Sequence, residues 1–150
     1  MTAESVTDDG SNRTGHPAST DPTLVNALLA GGFFPVVSPV SMDSAGMGIN
    51  VNADEAALAL AEGLKAEILL FLSDIPGILE DGKTLKELTP DQAEEKISNG
   101  VISGGMIPKV RSSITALHNG TDRIIIGGFE NSGDLGRLLS RIQGTVLKLK

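Results

Sequence analysis

Two stretches of this chain hold residues whose types and spacing fit a reaction site. The first, Gly48-Ile49-Asn50-Val51-Asn52-Ala53-Asp54, runs straight into an alanine-rich amphipathic segment. Its polar side chains fall at a strand end and a helix N-terminus, where charged ligands are held. The second is Gly104-Gly105-Met106-Ile107-Pro108-Lys109. Two glycines ahead of a helix-starting proline, with an ammonium in the first turn, aim backbone N–H groups and a cation at one anion. Together they read as the acidic and basic halves of a phosphoryl-transfer site, with Asp54 and Lys109 converging at the mouth of a sheet.

Each of these residues also has a plainer reading. Asp54 fits an acid in a first helical turn, favoured there by the helix dipole. Asn50 and Asn52 fit turn positions, although capping alone uses only one side chain of the three. Lys109 fits a solvated helix surface, but paired glycines weaken a fold unless something requires them. Asp74, within Ser73-Asp74-Ile75-Pro76-Gly77, either starts a turn or lies at the strand edge where open α/β sheets collect ligands. His16 and His118 read as solvated or structural. No His, Cys and carboxylate spacing suggests zinc, and no Ser-His-Asp arrangement stands out. The dinucleotide fingerprint and the Walker-type loop are both missing.

Composition narrows the setting. The chain has 150 residues, 40% of them hydrophobic, enough to close about one core. A net charge of -7 repels nucleic acid and anionic lipid, so a phosphate ligand must be captured locally. With four Phe and neither Trp nor Tyr, little is left for base stacking. Cysteine is absent, which fits a reducing compartment. No apolar run has the length of a membrane span. The expectation is a cytoplasmic protein that binds neither nucleic acid nor membrane.

The elements that must position the two stretches follow from periodicity. Residues 1–20 are rich in Ser, Thr and Asp, and read as a flexible lead-in. Asp21 and Pro22 open a helix with Leu24, Val25, Leu28 and Leu29 on one face, stopped at Gly31-Gly32. Phe33 to Ser38 reads as a buried strand, and Met42 to Gly48 as a turn. A helix runs from Asp54 to Lys65 with Ala57, Leu60, Ala61 and Leu64 inward. Ile68 to Leu72 is an apolar run suited to the middle of a parallel sheet. Asp81-Gly82 marks a tight turn, and Thr89-Pro90-Asp91-Gln92 opens a helix that ends at Asn99-Gly100. Further helices are expected from Pro108 to His118 and around Leu135, Leu138, Leu139 and Ile142, with strands at 123–126 and 145–149. The alternation predicts an α/β, three-layer sandwich with a mainly parallel central sheet.

The motifs Asn50-Val51-Asn52-Ala53-Asp54, Leu72-Ser73-Asp74-Ile75-Pro76-Gly77, Leu88-Thr89-Pro90 and Ser103-Gly104-Gly105-Met106-Ile107-Pro108-Lys109, in this order, closely resemble the acetylglutamate kinases of the amino-acid kinase family. The resemblance covers residues 21–150. It implies an amino-acid kinase-like fold, represented here by the edge of the acceptor-binding lobe and the nucleotide-binding lobe. It also implies transfer of the ATP γ-phosphoryl group, with Mg2+, to the side-chain carboxylate of N-acetyl-L-glutamate in arginine biosynthesis. By the same resemblance Asn50 and Asn52 lie at the substrate, and Asp54 orients the catalytic ammonium groups. Lys109 neutralises the migrating phosphoryl group, while Ser73, Asp74, Gly104, Gly105 and Met106 line the nucleotide. The family's N-terminal half, with a second lysine, a glycine-rich loop and a substrate-binding arginine, finds no counterpart before Asp54. The expected partners beyond the substrates are therefore other copies of the chain, as a homo-oligomer, or a complementary N-terminal half. The alternative function is a nucleotide-binding or regulatory module without catalysis.

Overall fold

In the computed structural model, which describes residues 1–7 and 12–150, the chain divides into two units, Met1–Lys65 and Ala66–Lys150. The first is organised by a ring of four short strands: β1 (Thr2–Ser5), β2 (Thr14–Ser19), β3 (Val40–Met42) and β4 (Gly48–Val51). β1 and β2 pair antiparallel, as do β3 and β4, and parallel pairings of β2 with β4 and of β1 with β3 close the ring. Alternation along β4 turns Ile49 and Val51 inward against Ala3, and Asn50 outward.

The expected flexible lead-in is therefore corrected: its described residues supply two of the four strands, while 8–11 lie outside the described residues. Composition gave no signal because the buried residues of these strands are only Ala3 and Gly15. Gly15 is required by close approach. A Cβ there would collide with the Glu4 carbonyl and sit 2.6 Å from Ile49 Cδ1.

Two helices complete this unit. α1 (Thr23–Ala30) begins where Asp21 Oδ1 accepts hydrogen bonds from the Thr23 N–H and hydroxyl, at 2.9 and 2.6 Å. It buries none of its residues, so the expected inner face is half-covered at best. α2 (Ala53–Leu64) buries Leu58 and Ala61 rather than the full stripe read from periodicity. A second correction concerns Phe33 to Ser38, which form no strand. Phe34 is 92% exposed and Val36 94%.

The second unit is a helix–sheet–helix arrangement. Its sheet has the order β5 (Ile68–Ser73), β9 (Arg123–Gly128), β10 (Thr145–Lys148), β8 (Glu87–Leu88). β5 runs parallel to β9 over all six residues and β8 parallel to β10, while β9 and β10 are antiparallel. β5 thus lies at an edge of this sheet and not in its middle. On one face Ile125 and Val146 pack with Leu138 of α5 (Asp134–Leu139). The opposite face, with Ile124 and Ile126 fully buried, meets α4 (Met106–His118). Of the expected apolar face of α5 only Leu138 is buried: Leu135 and Leu139 lie within the helix but are exposed, and Ile142 lies beyond its end.

Local signals in this unit translate directly. β6 (Leu79–Glu80) and β7 (Lys83–Thr84) form a hairpin whose turn residues Asp81 and Gly82 both have positive φ, 50° and 75°. α3 (Pro90–Ser98) carries a complete capping box between Thr89 and Gln92.

Candidate functional site

The acidic stretch lies in the first unit and is built by the β4–α2 junction. β4 ends at Val51, and Asn52 caps α2: its Oδ1 accepts from the backbone N–H of Asp54 at 2.9 Å and of Glu55 at 3.3 Å. One asparagine thus performs the local structural task. Asn50 faces away from the ring's core and is exposed. Asp54 is half-buried in the first turn of α2, and it is engaged by another group. Glu55 beside it accepts from His16 Nδ1 at 2.7 Å.

Sequence reading missed the group that braces this junction from behind. Arg13 donates to Asp43 Oδ2 at 2.8 Å and to the Gly48 carbonyl at 3.0 and 2.6 Å. The Met47 N–H and then the Arg13 guanidinium hold the Asp43 carboxyl below the usual carboxylate range. Asp43 also accepts from the Ala45 N–H, so it organises the turn that leads into β4. No local pattern ties Arg13 to a turn thirty residues away.

The basic stretch lies in the second unit. α4 starts at Met106, two residues before the expected Pro108, with Gly105 as its N-cap and no side-chain cap. Gly104 has φ of 55°, a conformation L side chains rarely adopt, whereas Gly105 has φ of −65°. No atom lies within 4 Å of where a Cβ would stand on either. The Met106 and Ile107 N–H groups are taken by the carbonyls of Ser103 and Gly104. Pro108 has no N–H. Among the described residues the amides of Gly104 and Gly105 make no backbone hydrogen bond, so the donors of this turn are at the glycines and not inside the helix.

Lys109 is half-buried in the first turn of α4, with Nζ 4.6 Å from the centroid of the Phe71 ring. Phe71 lies on β5 and is only 5% exposed, so the ring gives the ammonium a fixed seat. At the C-terminal end of the same strand Ser73 Oγ donates to Asp74 Oδ1 at 3.1 Å. The structure therefore groups Ser73, Asp74, Phe71, Gly104, Gly105, Met106 and Lys109 in one unit, and Asn50, Asn52 and Asp54 in the other. Phe71 was hidden in an apolar run that gave no hint of a cationic neighbour.

Among the described residues no group of three His, Cys, Asp or Glu side chains is placed to hold a metal ion. None of their helices is long and apolar enough to cross a membrane.

The sequence profile of the amino acid kinase family matches residues 2–128. That match begins in the strands of the first unit, earlier than the residue 21 expected from the motifs. An acetylglutamate kinase of Bartonella tribocorum is 48% identical over 113 residues, covering 75% of this chain and 38% of that protein. An acetylglutamate kinase of Bacillus velezensis is 41% identical over 126 residues, covering 84% of this chain and 49% of its own. The chain thus spans less than half the length of these relatives. In structure it superposes on the N-acetylglutamate synthase of Neisseria gonorrhoeae with a TM-score of 0.87 at 24% identity, over 99% of this chain and 36% of that one, a likeness of fold.

Proposed function

The chain belongs to the amino acid kinase family, and on that premise we propose that it carries the nucleotide-binding part, and one edge of the acceptor-binding part, of an acetylglutamate kinase. The reaction is transfer of the ATP γ-phosphoryl group to the side-chain carboxylate of N-acetyl-L-glutamate, in the cytoplasm and as a step of arginine biosynthesis. The observation that carries the reading is the Gly104–Lys109 turn. It places two backbone donors without backbone acceptors just ahead of one helix and a ring-seated ammonium in that helix's first turn.

Phosphoryl transfer asks a protein for positioning and charge stabilisation more than for a covalent intermediate. Lys109 neutralises charge on the migrating group. Gly104 and Gly105 hold the phosphates through their backbone N–H groups, and Met106, Ser73 and Asp74 line the nucleotide. Asp54 orients the ammonium groups of the site, Asn50 binds the acylated amino acid, and Asn52 joins it at the junction while capping α2. Magnesium, which neutralises phosphate charge when bound, fits as an ion carried mainly by the nucleotide, since such an ion needs only one or two protein carboxylates.

The test is acyl phosphate formation from ATP, magnesium and N-acetylglutamate, trapped as hydroxamate, for the chain alone and with an acetylglutamate kinase N-terminal half added. Product in the second mixture that disappears in Asp54→Ala and Lys109→Ala supports the assignment; no product in either removes it. A double-mutant cycle between Asp54 and Lys109 tests their convergence, because independent sites give additive losses. A second reading, nucleotide binding without transfer, is favoured by the Gly104–Lys109 turn lying wholly in one unit. Calorimetric ATP binding lost in Lys109→Ala, with no turnover under any mixture, would favour it.

A further inference from the structure

Thr145, the first residue of β10, is fully buried, and its hydroxyl ties together two segments of the second unit. Its Oγ1 donates to the Leu85 carbonyl at 2.7 Å and accepts from the Ile78 N–H at 2.8 Å. Ile78 lies just before the β6–β7 hairpin and Leu85 just after it, and the Leu85 N–H donates to the Ile78 carbonyl at 2.8 Å. A hydroxyl suits this place because it donates and accepts through one atom. An apolar side chain of the same shape would leave a buried N–H and a buried carbonyl each short of a partner.

Ile78 is also the far end of the loop that follows β5. At the near end Ser73 is fixed by its ladder pairing with Gly128, so only residues 74–77 lie between the two anchors. Close approach confines them further. Gly77 has φ of 144°, and a Cβ there would stand 2.8 Å from Thr145 Oγ1 and 2.7 Å from Thr84 Cγ2. A Cβ on Gly128 would come within 3.3 Å of the Ile75 carbonyl oxygen, and the Gln143 side chain donates to the Gly128 carbonyl at 3.2 Å. The loop that carries Asp74 is therefore packed against the end of β9 and hung from the Thr145 hydroxyl.

We infer that Thr145 is a positioning residue for the nucleotide: through the Ile78 N–H its hydroxyl fixes the 74–77 loop, and with it the Asp74 side chain, before ATP arrives. Thr145 is itself fully buried, so it acts only through the loop. A loop held at both ends has little ordering left to do when a ligand binds, whereas a loop released at Ile78 must be ordered by the ligand. Loss of the hydroxyl thus weakens ATP binding in addition to any loss of stability, and a threonine that merely supports the fold would show only the second. This inference rests on the nucleotide-binding reading above and adds to it a residue outside the ligand's reach.

The experiment is calorimetric titration of the full chain with ATP and magnesium, for the native protein, Thr145→Val and Thr145→Ser, with thermal melts and hydrogen exchange on each. Thr145→Val should weaken ATP binding by about tenfold and speed exchange of the Ile78 amide, while Thr145→Ser, which keeps the hydroxyl, should stay within about twofold of native. Combined with Asp74→Ala, Thr145→Val should add much less than its own loss, because both act through one loop. Gly77→Ala keeps the hydroxyl but sets a methyl against it, so it should weaken ATP binding as well, and it decides the question if Thr145→Val does not fold. Native affinity in a folded Thr145→Val or Gly77→Ala overturns the inference, as do equal losses in Thr145→Val and Thr145→Ser or additive losses with Asp74→Ala. Absence of ATP binding by the native chain removes the nucleotide-binding reading and this inference with it. ATP binding that ignores Thr145 removes this inference alone.

Discussion

The helix starts that carry the two candidate stretches, one in each unit, are built in opposite ways. α2 is closed by a side chain, with the Asn52 carbonyl oxygen taking the N–H groups of Asp54 and Glu55. α4 has no side-chain cap, begins with a glycine, and leaves the amides of Gly104 and Gly105 without a backbone acceptor. A capped start has spent its donors on itself. An uncapped start with a cation in its first turn keeps them for a ligand. On the proposed reading, the difference separates a junction capped by Asn52, which would act through outward side chains such as Asn50, from a turn that would act through its backbone.

The largest expected effect breaks the basic side of this comparison. Lys109→Ala should cost about 10²–10³ in turnover of the assembled enzyme, the scale for losing one preorganised charge-stabilising group. Steady-state kinetics on the complemented enzyme would measure it, and a loss below tenfold would demote Lys109 to a surface lysine. On the acidic side Asn52→Ala should destabilise the fold by about 1 kcal/mol through loss of the cap. Asn50→Ala, at an exposed position, should leave stability within about 0.5 kcal/mol and weaken acetylglutamate binding instead. Denaturant melts beside substrate titrations separate the two asparagines. A large stability loss at Asn50 would reverse the division of labour.

The two glycines sharpen the comparison at a smaller scale. Gly104→Ala forces an L residue to positive φ and should cost about 1 kcal/mol of stability. Gly105→Ala, at a φ any residue accepts and with space for the methyl, should be neutral or stabilise by about 0.4–1 kcal/mol. If Gly105 is there for close approach of phosphate, ATP affinity should fall in that variant although stability does not. Calorimetry with ATP on the folded variant decides it.

What the sequence made legible follows the range of each interaction. The Thr89–Gln92 capping box and the Asp81-Gly82 turn are complete within four residues, and both are formed as their residue types dictate. The glycine pair was legible as a pair, but only the backbone angles show that Gly104 alone needs its freedom. Long-range facts left no trace. β1 and β2 are held by a ring that closes through β3 and β4, and their small inward residues look the same as those of a flexible segment. Phe33–Ser38 failed in the other direction: a strand-like composition states a capacity to be buried, and burial requires a partner strand. The Arg13–Asp43 brace and the Lys109–Phe71 contact join residues about thirty or more positions apart, each ordinary in its own surroundings.

The smallest effect distinguishes a neutral side-chain acceptor from a charged one. Asn52 closes α2 with an amide, so its contribution is independent of pH in the acid range. In the second unit the loop before α5 is closed by a carboxylate: Asp134 Oδ2 accepts from the Asn131 N–H at 2.8 Å and the Glu130 N–H at 3.0 Å. These two donors, that of Asn131 foremost, hold its carboxyl below the ordinary value of 3.8. A group whose pKa is lowered on folding adds stability that is complete above the unfolded value and fades as pH falls through the folded one. Asp134→Asn should therefore flatten part of the decline in unfolding midpoint below about pH 4 and leave the rest to Asp21, Asp43 and Glu87, which are lowered too. Asn52→Asp should do the reverse, making the stability of α2 pH-dependent where the native amide is not. Melts from pH 7 down to about pH 3 that show parallel slopes for all three proteins would mean that neither side chain bears on the folding equilibrium.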